Sequence, residues 1–424
     1  MISKKLFSIM FNIIKLNEKD NIGVAPMSIP KNTEINFGVF TKDKIPFGHK
    51  ISLTDIKKGS YIYKYGQIIG KASNDISSGQ HVHSHNLIFS EFDRRYEVKT
   101  NNEVILEKKN LFFKGYKREN EKSGTRNYIG LISTVNCSAT VVKKIAENIN
   151  IYLLKNNFEN IDGAVCLKHS SGCGMNASGH GMQVFNRTIE GFKHHPNFGK
   201  VFVIGLGCEC AQISLYQNDS DKDKVEYLNI QDEGGTREII NNVTKKIINE
   251  MEDINSIKRT NIPISELTVA LQCGGSDSYS GITANPSLGF ASDLLIKYGG
   301  STILSETPEI YGAEHLLIER AINHEIVDKL IKQIEWWKHY TSINSGSLDN
   351  NPTPGNKKGG LTTILEKSLG AVAKSGTSTM MAVLDYSEQI SSKGFNFMDS
   401  PGFDPVSVTG QVASGANVIC FTTG

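Results

Sequence analysis

Three cysteines, Cys173, Cys208 and Cys273, each stand beside glycine in a short polar segment that follows an apolar run. Thiolates converging on one point can hold iron, as Fe2+ or in an iron–sulfur cluster, with one coordination position open. Such an open iron acts as a Lewis acid on a leaving hydroxyl. The blander reading is small, inert side chains in tight loops, and no Cys-x-x-Cys pair adds support from spacing. Glu209 and Asp277 place carboxylates in the same segments, to assist a metal or to cap a helix. Lys168 and His169 close another apolar run just before Cys173. An imidazole there suits a general base near neutral pH, with Lys168 beside it to face a carboxylate. The same imidazole would also suit a Cys173 thiol nucleophile, the chemistry of a thiol hydrolase.

Two further groups are basic. His81, His83 and His85 alternate, which predicts three imidazoles on one face of a strand, suited to a divalent metal or a bound carboxylate. His49-Lys50 lies in the same region. Pro354-Gly-Asn-Lys-Lys-Gly-Gly360 is a glycine-bounded loop whose Lys357 is placed to clamp a carboxylate or phosphate. It lacks P-loop spacing, and no GxGxxG follows a predicted strand, so a dinucleotide cofactor is not expected.

Something must position these side chains. Residues 14–96 show short alternating runs punctuated by turn residues, which predicts a small all-β unit. Residues 97–113 are polar and read as a linker. Beyond it, apolar runs of strand length alternate with segments of helical period such as Val141–Glu147. That grammar predicts crossover units and largely parallel sheets, with a central α/β domain at 114–262 and a C-terminal one at 263–424. Five runs, ending near Ser133, Leu167, Ile204, Leu271 and Leu304, lead into the polar segments. Ligands of open α/β sheets bind at the carboxyl edge of their strands, so that edge is the expected site.

The 424 residues carry 46 Lys+Arg against 44 Asp+Glu, a formal charge of +2 spread along the chain. That balance excludes a nucleic-acid binder with a concentrated basic face. The apolar run Leu6–Ile14 is too short to span a membrane, and no small-residue cleavage site follows it. Seven cysteines without framework spacing predict reduced thiols and a cytoplasmic protein.

Taken together, Gly48-His-Lys50, Lys64-Tyr-Gly66, His81–Asn86, Gly124-Thr-Arg-Asn127, Ile204–Glu209, Gln272–Asp277, Ser280–Pro286 and Pro354–Gly360 resemble the altronate/galactarate dehydratase family of sugar-acid lyases. The resemblance covers the chain from about residue 14 and implies an N-terminal SAF (β-clip) domain before a two-part catalytic region. It implies dehydration of a hexonate or hexarate that depends on iron, with Mn2+ as the alternative metal. The His-x-His-x-His motif resembles the altronate branch; the segment from Gly124 to Ser138 is nearer the galactarate branch. Family members continue past the point equivalent to Phe421–Gly424, so the C-terminal domain is expected to be truncated. If that impairs activity, a sugar-acid binding protein is the rival reading.

The expected reaction is α,β-elimination to a 2-keto-3-deoxy acid, from altronate first and galactarate second. His169, Lys168 and Asp277 are the expected catalytic residues, and Cys173, Cys208, Cys273 and Glu209 the expected metal ligands. Arg126, Asn127, Lys357, His49, His81, His83 and His85 are expected to bind substrate, Arg126 through its bidentate fork. The expected partner is a small sugar acid, within a homo-oligomer, with no nucleic acid or membrane.

Overall fold

The computed structural model describes residues 12–94, 96–99, 107, 110–118 and 122–423. In the N-terminal unit the strands are short and antiparallel. Ile22–Val24, Lys50–Ser52 and His81–Val82 make one sheet; Tyr61–Lys64, Gln67–Ala72 and Leu87–Ile88 make another. Tyr65 and Gly66, at φ 60° and 73°, turn the chain between Tyr61–Lys64 and Gln67–Ala72. Two successive positive φ values match the right-handed twist of a hairpin, which is why glycine holds the second place. Isoleucines fill this unit: Ile29, Ile35, Ile45 and Ile51 pack in its outer core. Ile56, Ile62, Ile69 and Ile76 instead join Leu304, Leu365 and Phe397 in one core shared with the C-terminal region.

Phe112–Lys117 pairs with Ser123–Gly124 and Thr260–Pro263 in an antiparallel ribbon. Both the end of the expected linker and the polar stretch before residue 263 therefore contribute strands.

The two α/β sheets are parallel throughout, as the alternating grammar predicts. The central sheet has the order Gly163–Leu167, Tyr128–Ser133, Phe198–Gly205, Val225–Asn229. Helices Ala139–Lys155 and Thr236–Ser256 bury Val142, Ile145, Val243 and Ile247 against one face. Helix His180–Lys193 covers the other with Ile189 and Phe192. The C-terminal sheet has the order Met380–Leu384, Gly394–Met398, Ser301–Ser305, Thr268–Cys273, Val418–Thr422. Strand Gly394–Met398 is buried at every position, the mark of a strand covered on both faces. Among the described residues, no helix is long and apolar enough to cross a membrane, and all seven cysteines are free.

What fixes the N-terminal unit to the C-terminal domain is a buried triad. Glu366 lies in the first turn of helix Ile364–Val372 and accepts from Lys50 Nζ and Lys64 Nζ, both at 2.8 Å. All three side chains are fully buried. Burial alone would raise the Glu366 pKa; the two ammoniums outweigh it and push the carboxyl down to about 2. Lys50 also donates to the Gly360 carbonyl at 2.5 Å, and Lys64 to Ser278 Oγ at 2.8 Å. Removing one member of such a group leaves an uncompensated buried charge, which costs about 3–5 kcal/mol. Glu366→Ala is therefore expected to lower unfolding stability by about that amount in denaturant titration. A loss of less than about 1 kcal/mol, the range of exposed ion pairs, would show that the triad does not hold the domains together.

Candidate active site

The strands of the C-terminal sheet end in the segments that carry its chemistry. Thr268–Cys273 runs into Gly274-Gly-Ser-Asp277, Ser301–Ser305 into Glu306, and Gly394–Met398 into Asp399-Ser-Pro-Gly-Phe403. Facing them is the short helix Pro354–Lys358, started by Thr353 and Asn356 in a reciprocal capping box. Asn356 Nδ2 also donates to the Ser276 carbonyl at 2.8 Å, tying the helix to the strand end. Between these pieces lies a cavity of about 610 Å3, lined among others by Cys273, Asp277, Glu309, Lys358, Lys367 and Asp404. That is the size range of small-molecule sites. Gly274 is where the chain must pass closely, since a Cβ there would lie 2.7 Å from the Phe421 ring and 3.0 Å from Asp404 Oδ2.

Each wall group has defined partners. Lys367 Nζ donates to Glu309 Oε1 at 2.7 Å and Asn351 Oδ1 at 2.8 Å. Lys358 is exposed, at the cavity rim. Asp404 Oδ1 accepts from Gln272 Nε2 at 3.0 Å. Asp277 Oδ1 accepts from the Tyr279 and Ser280 amides at 2.9 and 2.8 Å, so it shapes a turn as well as lining the cavity. Cys273 Sγ accepts from Lys374 Nζ at 3.1 Å and Ser276 Oγ at 3.3 Å. Lys374 is fully buried, which would lower its pKa, but the facing Cys273, Glu306 and Glu309 hold it above its ordinary value.

Behind this wall is Glu306, in the left-handed region at φ 76° and ψ 70°, a conformation strained for a residue with a side chain. Its amide donates to Ser400 Oγ at 3.0 Å, while its carboxyl is buried and Oε1 has no hydrogen-bond partner. Burial, then Glu309, push its pKa up to about 8 against the pull of Lys374 and Gln272.

The central sheet receives much of what the sequence singles out, away from this cavity. His169 Nε2 lies 2.7 Å from the Ser133 carbonyl, and its Nδ1 accepts the Ser171 amide at 3.1 Å. Both nitrogens are thus committed to backbone, and burial lowers its pKa although Ser133 opposes this. As placed it presents no unpaired nitrogen to a substrate. Lys168 is exposed beside it. Cys173 and Cys208 are exposed on loops of the central sheet, whereas Cys273 is buried in the C-terminal one. Glu209 spends both oxygens on its own and the neighbouring strand-end loop, accepting from the Leu206 amide, the Gly207 amide and Thr134 Oγ1. Those bonds outweigh burial and lower its pKa. Among the described residues, no three His, Cys, Asp or Glu side chains are grouped to hold a metal ion. The expected thiolate–iron ligand set does not fit the side chains as placed.

Arg126 and Asn127 precede strand Tyr128–Ser133 and so lie at its amino end, opposite the carboxyl edge. Asn127 is buried and donates to the Asn160 and Ile254 carbonyls; Arg126 is half exposed, 3.9 Å from Asp162. Neither is brought to the cavity. The histidines do gather, but not on a strand face: the strand stops at Val82, and His83 and His85 lie in the turn that follows. His49 joins them, its ring 4.9 Å from that of His83. Lys357 meets this cluster through its backbone carbonyl, 2.8 Å from His83 Nε2.

Three family models tile the chain. An altronate/galactarate dehydratase SAF domain matches residues 11–90, a D-galactarate dehydratase/altronate hydrolase second domain 115–255, and a D-galactarate/altronate dehydratase C-terminal domain 264–424. Altronate dehydratase of Bacillus subtilis (strain 168) is 37% identical over 98% of this chain and 84% of its own length. The chain belongs to the altronate/galactarate dehydratase family. Altronate dehydratase of Escherichia coli (strain K12) is 36% identical over 97% of this chain and 83% of its own. Galactarate dehydratase (L-threo-forming) of the same strain is 35% identical over 97% and 81%. The N-terminal unit of this family member is its SAF domain, followed by parallel α/β sheets.

Sequence reasoning gave no role to Glu306, Lys374, Lys367 or Asp404 and did not pair Lys50 and Lys64 with Glu366. A usable signal existed for Lys374, which ends the apolar stretch Leu369-Gly-Ala-Val-Ala373; a charge there must find a partner if the helix is buried. Because Glu306 binds its proton more tightly folded than unfolded, its contribution is present below the ordinary carboxylate pKa. It is lost as pH rises through about 8. Glu306→Gln is thus expected to raise the melting temperature more at pH 9 than at pH 6, by on the order of a few degrees. Equal shifts at both pH values would place the Glu306 carboxyl in water.

Proposed function

We propose that the cavity at the carboxyl edge of the C-terminal sheet dehydrates a sugar acid, altronate in the first instance, to a 2-keto-3-deoxy acid. What carries this reading is the union, on one cavity wall, of two ammoniums with carboxylates in a member of a dehydratase family. Lys358 and Lys367 present positive charge to a substrate carboxylate, Lys358 from the rim and Lys367 from its bonds to Glu309 and Asn351. The C2 proton is weakly acidic, and its removal places further negative charge on the carboxylate, where fixed cations stabilise it most. Asp404, held by Gln272, is the proposed base. The C3–O bond then breaks, the hydroxyl leaves with a proton as water, and the enol tautomerises to the ketone. Asp404, protonated by the first step, is the proposed donor of that proton, with the Asp277 carboxylate left to hold the substrate's hydroxyls. No step here runs through iron, because the expected ligands are not grouped.

An anaerobic assay with Fe2+ supplied or withheld, offering altronate and galactarate, tests the proposal. Turnover of altronate to keto-deoxy acid is expected. Turnover of galactarate alone would overturn the substrate, and turnover of neither the reaction. Lys358→Ala should raise KM by about tenfold or more, the loss of one charge-assisted contact. Asp404→Asn should lower kcat by about 100-fold or more. Unchanged constants in both variants would move the chemistry elsewhere.

A further inference from the structure

The SAF imidazoles touch the cavity wall through its backbone. His49 Nε2 lies 3.0 Å from the Lys358 carbonyl and His83 Nε2 2.8 Å from that of Lys357. A carbonyl oxygen only accepts, so both nitrogens carry hydrogen. His49 Nδ1 lies 2.9 Å from His81 Nε2. With His49 neutral, its Nδ1 is a bare acceptor and His81 must donate from Nε2. His83 Nδ1 in turn meets Ser84 Oγ at 3.0 Å. The tautomers of three rings are thereby assigned by the carbonyls at one end of the chain.

Those carbonyls are the last ones of helix Pro354–Lys358: that of Lys357 accepts the Gly360 amide at 3.0 Å, whereas that of Lys358 has no intrahelical N–H to satisfy it. The SAF domain adds side-chain donors here: His83 is a second donor to Lys357, while His49 donates to Lys358 and Lys50 to Gly360. The approach is close: Gly360 has φ 97°, and a Cβ on it would lie 2.4 Å from the Gly48 carbonyl. The charged and titratable groups around the rings include Lys50, Glu366 and His85, with Asp43 Oδ2 accepting the His81 amide at 3.1 Å. Burial is the leading cause that lowers the pKa of His49, His81 and His83, the last two to about 3 and about 4. The neutral state taken for these rings is therefore the one favoured near neutral pH.

We propose that His49, His81 and His83 are positioning residues, which cap the end of helix Pro354–Lys358 and so hold Lys358 at the cavity rim. This rests on the reading of that cavity as the sugar-acid site and replaces direct substrate binding by these imidazoles. It makes the SAF domain a part of the active-site wall, held in register by the Lys50–Glu366–Lys64 triad.

The test uses the full chain with His49→Phe and His83→Phe, which keep a ring and remove the donor, and His83→Gln, which restores an N–H. Amide hydrogen exchange of residues 356–361 is the first readout, because it is independent of catalysis. Exchange at least tenfold faster in the Phe variants, and near wild type in His83→Gln, is expected. On altronate, KM should rise by about tenfold with kcat changed less than about threefold. Unchanged exchange and KM in the Phe variants would overturn the proposal. So would a collapse of kcat at constant KM, which would put the imidazoles on the reacting atoms. If the wild-type protein turns over neither sugar acid, the dehydratase reading fails, while the exchange result still decides the positioning role.

Discussion

Everything at the candidate site depends on one buried carboxylate between two buried ammoniums. Lys50 and Lys64 belong to the SAF domain and Glu366 to a helix of the C-terminal domain. Burying three charges is costly unless their geometry is tight and their remaining bonds are satisfied. Here they are, by Gly360, Ser278 and Thr362. Such an arrangement tolerates no sliding between domains, because any displacement strands a charge in a dry core. The triad contributes little net stability compared with an apolar contact of the same area, but it admits a single register.

That register is what puts the site together. Ser278 lies one residue past Asp277, and Gly360 two residues past Lys358, so the lysines that bind Glu366 also touch both lips of the cavity. The stacking of Phe47 on Tyr279, with centroids 4.9 Å apart, reinforces the same contact. On the far side of the 400–406 segment, a wider cleft of about 900 Å3 is lined by Trp336, Trp337 and Tyr386. Its lining is more apolar, although it too carries Lys329 and Lys332 with Asp328, Asp385 and Asp399.

The two parallel sheets were legible because strands buried on both faces read as continuous apolar runs, and the polar segments at their ends were legible for the same reason. Which sheet a strand joins leaves no such trace. Cys173, Cys208 and Cys273 share a local pattern, yet crossover topology sends the first two to one sheet and the third to another. Local spacing therefore predicted a convergence that the topology does not make. The alternation of His81, His83 and His85 implied a strand face, but a turn after Val82 overrode the period and brought His49 in from residues far away in sequence. The pairing of Lys50 and Lys64 with Glu366 was invisible for the same cause, a partnership across some 300 positions. The family resemblance, carried by long motifs, reached further than any of these local arguments.

The central claim is that the sugar acid sits at the carboxyl edge of the C-terminal sheet, not at that of the central sheet. Hydrogen-exchange mapping of the full chain, with and without saturating altronate, separates the two edges directly. Protection is predicted in residues 273–280 and 353–361, with residues 168–174 and 205–210 unchanged. Protection confined to the central-sheet loops would contradict the account and return the chemistry to His169 and its neighbours.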